Sequence, residues 1–260
     1  MGIICAAMLS VAGCANQKQT QPSSEKNLFL KSLTNDLADL PDKIVQDSKD
    51  TFLKTDNITA LLLAGGASIA MHNSDADDNL AENFRRHQVI DGFASETLNV
   101  IGSPQFHFAA TGLWYASSAE NQDSLNTDRA WTMMRALAIN TAVTSGLKRI
   151  RDNDTPNGKR HAWPSGHTSS SFTVASVLDE FYGPKVGIPA YLTASLVAYR
   201  MADEADHWAS DIVFGATLGW VVGHSVAAKH KNPEIAGFKI LPYTSSHNQP
   251  AVGINLLKQF

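Results

Sequence analysis

Residues 163–182 have the sequence WPSGHTSSSFTVASVLDEFY, in which a glycine-containing turn leads directly into a helical run. The first N–H groups of a helix have no partner inside it, and they lie at the positive end of the helix dipole. The turn PSGH (164–167) therefore predicts an anion-binding site with His167 beside the bound anion. The same pattern also suits a plain helix cap with a bystander histidine.

The rest of the body shows helical patterns on both sides of this turn, and strand alternation is absent. The apolar or amphipathic runs cover about 26–53, 57–71, 81–101, 105–118, 126–151, 168–182, 187–201 and 207–229. Pro41 marks a predicted kink or boundary, and residues 126–128 are candidate caps for the long run. The stretch GATLG (215–219) indicates close contact between helices. The sequence therefore predicts an all-α helical bundle.

Composition limits the classes of function. The chain has 260 residues, long enough for one sizeable core, and its net charge of −4 offers no basic field for nucleic acid. A membrane span needs about 20 mostly apolar residues. The two longest candidates contain polar groups, with Arg135 and Asn140 in or beside 133–147 and His224 within 212–228. A soluble bundle is therefore favoured over an integral membrane protein.

The N-terminal segment has the pattern of a targeting sequence. Residues 1–14 are mostly apolar and end in LSVAGC (9–14), which resembles a bacterial lipobox with Cys14 as the lipid-modified residue. No basic residue precedes the apolar run, although signal peptides normally carry one, and an incidental cysteine is the alternative. A polar Gln/Ser-rich stretch follows, as a tether would. We expect a cell-envelope lipoprotein held to the membrane by its N-terminal lipid. Ala15 indicates the outer membrane, facing the periplasm, if the organism is Gram-negative.

A second group of candidate catalytic residues lies further along the chain. His207 and Asp211 are four residues apart in a run predicted to be helical from about Asp206, so their side chains share a face. A carboxylate bound to one imidazole nitrogen fixes the tautomer and leaves the other nitrogen free to attack. An ordinary surface pair, which contributes only a few tenths of a kcal/mol, would have the same spacing.

Three basic residues lie at predicted helix ends near these motifs. Lys148 and Arg151 end the long helix, and Arg200 ends the helix that precedes His207. Such residues commonly just complement the helix dipole. Because Arg200 follows the apolar stretch LVAY (196–199), we expect it to be partly buried and paired with an anion.

Taken together, these residues resemble the type 2 phosphatidic acid phosphatase superfamily, which includes bacterial acid phosphatases and vanadium haloperoxidases. The family motifs are Lys-x6-Arg-Pro, Pro-Ser-Gly-His and Ser-Arg-x5-His-x3-Asp. Lys148, the turn 164–167 and the Arg200…His207-x3-Asp211 stretch follow this order at close to this spacing. The resemblance covers roughly residues 130–230.

The resemblance implies a helical phosphatase that hydrolyses phosphate monoesters through a phosphohistidine. In that scheme His207 attacks phosphorus, Asp211 orients His207, and His167 protonates the leaving group. The implied phosphate ligands are Lys148, Arg200, Ser165 and Gly166. No metal or cofactor is implied, and vanadate is expected to inhibit. The substrate is expected to be a phosphorylated lipid or a small phosphomonoester.

Two of the motifs depart from the family pattern. Thr155 stands where the family has Arg, which removes a bidentate phosphate clamp, and Arg151 or Arg160 could supply the missing charge. Tyr199 replaces the family Ser. These departures leave two alternatives open: a catalytically impaired lipoprotein that binds an anion or a partner, and a vanadate-dependent haloperoxidase.

The third motif is also longer than usual. Six residues, rather than five, separate Arg200 from His207, and the extra one falls in the acidic stretch DEAD (203–206). A loop there could absorb the insertion, but its carboxylates would repel a phosphate unless they point away. His161 lies in the loop that leads to the PSGH turn and could line the pocket. The remaining histidines, among them His107, are interpreted as structural or surface residues.

The predicted division of the chain has five parts. They are a signal peptide (1–14), a polar tether (15–25), N-terminal helices (26–125), a core with the three motifs (126–230) and a C-terminal tail (231–260). The first part contains the predicted lipid attachment at Cys14, and the fourth carries all of the proposed chemistry.

Overall fold

The computed structural model describes residues 22–228, 234–235, 238–245 and 251–258. Within them, nine helices precede three strands. The helices are α1 Pro22–Phe52, α2 Thr55–His72, α3 Ala76–Arg86, α4 Gly92–Gly102, α5 Pro104–Glu120, α6 Ser124–Arg151, α7 Gly166–Tyr182, α8 Pro184–Asp203 and α9 Ala209–Ala227. The strands are β1 Glu234–Ile235, β2 Phe238–Ser245 and β3 Ala251–Lys258. The predicted helical bundle is confirmed, whereas the lipid site at Cys14 lies outside the described residues.

Strands were not expected in the predicted C-terminal tail, residues 231–260. They form one antiparallel sheet in the order β1-β2-β3, in which Leu241 of β2 pairs with Asn255 of β3. Neither β2 nor β3 alternates strictly between apolar and polar residues, so a pattern search along one segment misses them. Their pairing depends on backbone hydrogen bonds to a neighbouring segment, which periodicity within one segment does not report.

The predicted boundary at Pro41 is wrong, because α1 continues through it to Phe52. The apolar residues before and after the proline pack on the same bundle. Leu40 lies against the cluster around Tyr115, and Ile44 lies against the main core. Burial on both sides of Pro41 holds the helix together despite the missing backbone donor.

The amphipathic run 81–101 is divided between α3 and α4, with a short connection between them. Gly92 begins α4 with φ of +50°, a conformation that glycine adopts readily. In the connection, the backbone N–H groups of Val89 and Ile90 donate to the carboxylate of Asp203 at the end of α8. A tertiary contact thus replaces the helical hydrogen bonds in this connection, and the periodicity of the sequence does not indicate it.

The long helix α6 begins two residues earlier than the candidate caps at 126–128 suggested. Asp123 is the N-cap, and its side chain accepts a hydrogen bond from the N–H of Asn126 at 3.0 Å. Further along α6, Arg135 donates to Asp47 of α1 at 2.8 Å, and both side chains are buried. This pair joins α1 to the middle of the bundle, in addition to the apolar core.

Helices α7 and α9 run parallel and pack through a row of glycines on α9. A Cβ atom on Gly215 would lie 2.9 Å from the carbonyl oxygen of Ser165, and one on Gly223 would lie 2.6 Å from that of Thr173. Gly219, between them, is closest of all to α7, against the carbonyl oxygen of Ser169. The close contact predicted from GATLG is therefore present, and it leaves no room for a side chain.

In residues 22–228 no helix is both long enough and apolar enough to span a bilayer.

We predict that Gly219→Ala destabilises the fold by about 2 kcal/mol, because the added methyl group meets rigid backbone and forces the two helices apart. Urea denaturation followed by circular dichroism would measure the free energy of unfolding. The matched control is Gly66→Ala in α2, where nothing lies within 4 Å of the new Cβ atom. That variant should gain about 0.5–1 kcal/mol from helix propensity. Equal effects of the two substitutions would show that the α7–α9 contact is not tight.

Candidate active site

The parallel packing of α7 and α9 brings their N-terminal ends together. The N–H of Ser165, the N-cap of α7, donates to the carbonyl oxygen of Asp211 in the first turn of α9 at 3.1 Å. The PSGH turn and the His-x3-Asp pair, forty residues apart in sequence, therefore share one site. The positive ends of two helix dipoles also meet there.

His207 and Asp211 interact as expected, but not on one helix. Helix α9 begins at Ala209, so His207 lies in the preceding turn, where its N–H donates to the carbonyl oxygen of Met201. One oxygen of the Asp211 carboxylate accepts from the N–H of Trp208 at 3.0 Å and lies 3.3 Å from Nδ1 of His207. The predicted helix start near Asp206 is wrong because the Asp211 side chain caps the helix at Trp208 instead.

Burial sets the protonation state of His207. It lowers the pKa of the imidazole, and the neighbouring charge of Lys148 acts in the same direction, against the opposing effect of Asp211. With Nδ1–H donating to Asp211, the neutral ring leaves its Nε2 lone pair unprotonated at neutral pH. His207 is thus held as a nucleophile or base.

The pKa of His167, at the start of α7, is lowered as well. Burial, followed by the charges of His207 and Arg200, lowers its pKa to about 4. Asp206 and the backbone acceptor of Asn99 oppose this effect. The two imidazoles are therefore close enough to affect each other, and His167 is neutral in the free protein near pH 7.

Lys148 reaches the PSGH turn from α6. Its Nζ donates to the carbonyl oxygens of His161 and Ala162 at 2.6 and 3.0 Å. A Cβ atom added at Gly166 would lie 3.9 Å from Cε of Lys148, so the lysine stem crosses the turn. Burial lowers the pKa of Lys148 to about 8, and Asp211 opposes that shift. The amine therefore stays largely protonated at pH 7.

Arg200 is buried and paired, as the sequence predicted. Its Nε donates to Oγ of Ser95 at 3.1 Å, and its Nη1 forms an ion pair with Asp206. Ser95 in turn donates to Glu204 at 2.6 Å. A lone serine in a helix carries no sequence signal, so the part of Ser95 in holding Arg200 was not foreseen.

One side chain of the PSGH turn, that of Ser165, already forms hydrogen bonds within the protein. Oγ of Ser165 accepts from the N–H of Thr168 and lies 2.9 Å from the Thr168 hydroxyl, so this fully buried side chain acts as the helix cap. The N–H groups of Gly166 and His167 come first in α7 and have no acceptor within the helix. These N–H groups and the Ser165 hydroxyl, which can still donate its own proton, stay the predicted anion ligands of the turn.

The two replacement cations considered for Thr155 are engaged elsewhere. The guanidinium of Arg151 lies 5.2 Å from the centre of the Trp163 ring, and Arg160 forms an exposed ion pair with Asp152 at 2.6 Å. The imidazole Nδ1 of His161 also lies against Asp152, at 3.1 Å. No hydrogen bond or ion pair joins these side chains to the PSGH turn in the described structure.

A buried histidine on α5 is a neighbour of the site that the sequence did not reveal. His107, interpreted as structural or surface, is buried, and its Nδ1 lies 2.7 Å from Oγ of Ser170 in α7. Burial lowers its pKa to about 4, and His167 contributes to the shift. Its place beside His167 depends on the packing of α5 against α7, which no local pattern indicates.

The residues in this part of the chain can bind an oxyanion with two side-chain cations and helix N–H groups, between two neutral imidazoles. No group of three or more His, Cys, Asp or Glu side chains in the described ranges could hold a metal ion. The arrangement therefore offers acid–base and nucleophilic groups together with fixed positive charge.

The chain is similar to known proteins in both sequence and fold. A stretch of 66 residues is 35% identical to the lipid A 1-phosphatase of Porphyromonas gingivalis, and it covers 24% of this chain and 15% of that protein's length. The fold matches the crystal structure described as the first transmembrane PAP2 type phosphatidylglycerolphosphate phosphatase from Bacillus subtilis. The TM-score is 0.56 at 18% identity, with 65% of this chain and 92% of that chain covered.

The chain also matches a protein family. The model of the PAP2 superfamily matches residues 104–234, half of the chain. This range contains all three motif regions and the helices α5 to α9 that carry them. The chain therefore belongs to the PAP2 superfamily.

Proposed function

We propose that this protein is a metal-independent phosphatase that hydrolyses phosphate monoesters through a phosphohistidine on His207. The observation that carries the proposal is the meeting of two neutral, buried imidazoles at adjoining helix N-termini, with Lys148 and Arg200 on either side. One imidazole has a carboxylate partner, and the other does not. This asymmetry supports His207 as the nucleophile and His167 as the acid.

In the first step, Nε2 of His207 attacks phosphorus and the bond from phosphorus to the ester oxygen breaks. Asp211 stabilises the positive charge that develops on the His207 ring. The departing oxygen takes a proton from His167, which becomes protonated when the dianionic substrate sits beside it. Lys148, Arg200 and the Gly166 N–H stabilise the charge on the three non-bridging oxygens.

In the second step, water attacks the phosphorus of the phosphohistidine. His167, now neutral, accepts a proton from that water. The bond from phosphorus to Nε2 breaks, and inorganic phosphate leaves with His207 neutral again. The catalytic cycle is closed without any metal-bound water, since the protein's own cations neutralise the phosphate.

We propose a phosphorylated lipid as the substrate. The named relatives are a lipid A 1-phosphatase and a phosphatidylglycerolphosphate phosphatase, so both are named for phosphorylated lipids. Attachment of Cys14 to an envelope membrane would keep the site close to such molecules. A small phosphomonoester is the second candidate, and relative rates on the two substrate classes decide between them.

Turnover and its dependence on His207 test the reaction. We expect the full chain to hydrolyse phosphatidic acid and a chromogenic phosphomonoester in the presence of EDTA, and vanadate to inhibit. His207→Ala should lower kcat by about 10³-fold or more, because the covalent path is lost. The control is His224→Ala, which removes a histidine of α9 that pairs with Glu180. A folded parent without turnover would favour the impaired lipoprotein, and restoration by magnesium after chelation would contradict the mechanism.

The protonation of His167 gives a second prediction. Since its pKa is lowered to about 4, the protonated fraction in the free protein falls tenfold for each pH unit above that value. Bound phosphate should stabilise the imidazolium and raise this pKa. NMR titration of the His167 ring, with and without inorganic phosphate, measures both values, and His167→Gln assigns the signal. An ordinary pKa near 6.5 in the free protein would contradict the proposed environment.

Lipid attachment is tested separately. Cells that express the full chain and receive a labelled fatty acid should incorporate the label into the protein and retain it in the membrane fraction. Cys14→Ala should remove both, because the thiol is the proposed attachment point, whereas Cys5→Ala should leave mature protein labelled. Label that persists in Cys14→Ala would exclude this residue as the anchor.

A further inference from the structure

The segment with the missing family arginine forms a closed turn. The hydroxyl of Thr155 donates to the side-chain oxygen of Asn157 at 2.6 Å and accepts from the N–H of Lys159 at 2.9 Å. The N–H of Thr155 donates to the carbonyl oxygen of Lys159 at 2.8 Å, which closes the turn. Thr155 is buried and organises the loop. The threonine thus holds the loop together, whereas the arginine of the family pattern would supply a positive charge.

The same turn is attached to the lengthened third motif. The N–H of Asn157 donates to the carbonyl oxygen of Ala205 at 3.1 Å, and its side-chain amide donates to Oδ1 of Asp206 at 2.9 Å. The indole of Trp208 donates to the carbonyl oxygen of Asp154 at 2.7 Å. Thr155 and the lengthened third motif, two of the three departures from the family pattern, therefore belong to one structural unit.

Asp206 lies at the centre of this unit, between two cations. Its Oδ1 accepts from Nζ of Lys159 at 2.8 Å, and its Oδ2 pairs with Arg200. Burial opposes ionisation of the carboxyl, but hydrogen bonds from Lys159 and Asn157 and the charge of Arg200 outweigh it and lower the pKa. Asp206 is therefore a carboxylate that occupies the cationic side of the site, directly before His207.

We propose that Lys159 supplies the cation lost at Thr155, and that Asp206 holds Lys159 and Arg200 in the free protein until a phosphate group replaces its carboxylate. This inference rests on the phosphatase function proposed above. It names a phosphate-binding residue, Lys159, and an internal competitor, Asp206.

Lys159 is favoured over the other nearby cations by its ion-pair partner. It shares a carboxylate with Arg200, a phosphate ligand implied by the motif, whereas Arg151 lies on Trp163 and Arg160 pairs with Asp152. Its side chain is 70% exposed and ends a flexible stem, so it can move from one anion to another at small cost.

The other acids of the inserted stretch are already committed to the backbone and to α4. Asp203 accepts from the N–H groups of Val89 and Ile90, and Glu204 accepts from Ser95. Of the acids in 203–206, Asp206 alone pairs with Arg200 in the described structure. Its negative charge also acts to raise the pKa values of His167 and His207, against the lowering effect of burial. A phosphate in its place would carry more negative charge and would also raise the pKa of both imidazoles.

Direct binding of inorganic phosphate tests the inference without any turnover. Isothermal titration calorimetry at low ionic strength would be applied to the full chain and four variants. We expect Lys159→Ala to raise Kd about fivefold and Lys159→Arg to stay within about twofold of the parent. Asp206→Asn should lower Kd about tenfold, because it removes the competing charge and keeps a similar shape. Arg149→Ala, an exposed charge loss at the end of α6, is the matched control and should change Kd less than about twofold.

The outcomes separate this inference from the proposed reaction. Weaker binding by Asp206→Asn, or an unchanged Kd in Lys159→Ala together with a raised Kd in Arg151→Ala, would overturn it. If the parent binds phosphate too weakly to measure, Asp206→Asn should still bind, and its failure would also count against the inference. The His207→Ala variant tests the reaction independently, since it abolishes turnover without removing either Lys159 or Asp206.

Discussion

The contact between α7 and α9 is the constraint on which the site depends. Three glycines spaced four residues apart let the α9 backbone lie directly on the α7 backbone, at distances that exclude even a methyl group. The contact aligns two parallel helices so that both N-terminal ends open at one place, joined by the Ser165–Asp211 backbone hydrogen bond. Every candidate catalytic group lies on one of these ends or reaches toward them from α6 and α8.

Charge balance is the second organising feature. Two imidazoles are kept neutral by burial, while Lys148 and Arg200 stay positive and are held by neutral acceptors or by Asp206. Such a site favours an anion, because fixed cations and helix N–H groups are oriented before the anion arrives. In the free protein the carboxylates of Asp206 and Asp211 offset part of this charge, which limits the cost of bringing so many cations together.

The motif residues could be identified from sequence because their spacing is local, whereas their supporting partners could not. Lys148, His167 and His207 belong to short patterns with a chemical meaning. Ser95 and His107 belong to none, since they reach the site only through the packing of α4 and α5 against the later helices. The predicted start of α9 was also wrong. The side-chain cap from Asp211, and not apolar periodicity, sets the boundary at Ala209.

The sequence by itself determined the helical class, the family motifs and the residue types of the chemistry, because helical periodicity and turn composition are properties of neighbouring residues. It also indicated the close helix contact, since small residues at intervals of four leave a groove along one face. Only the tertiary structure decided which charges pair. Thr155 and the extra residue before His207 appear in sequence as two separate defects, yet the folded chain joins them through Asn157, Lys159 and Asp206. Ion pairs between distant segments depend on distances that no local pattern encodes.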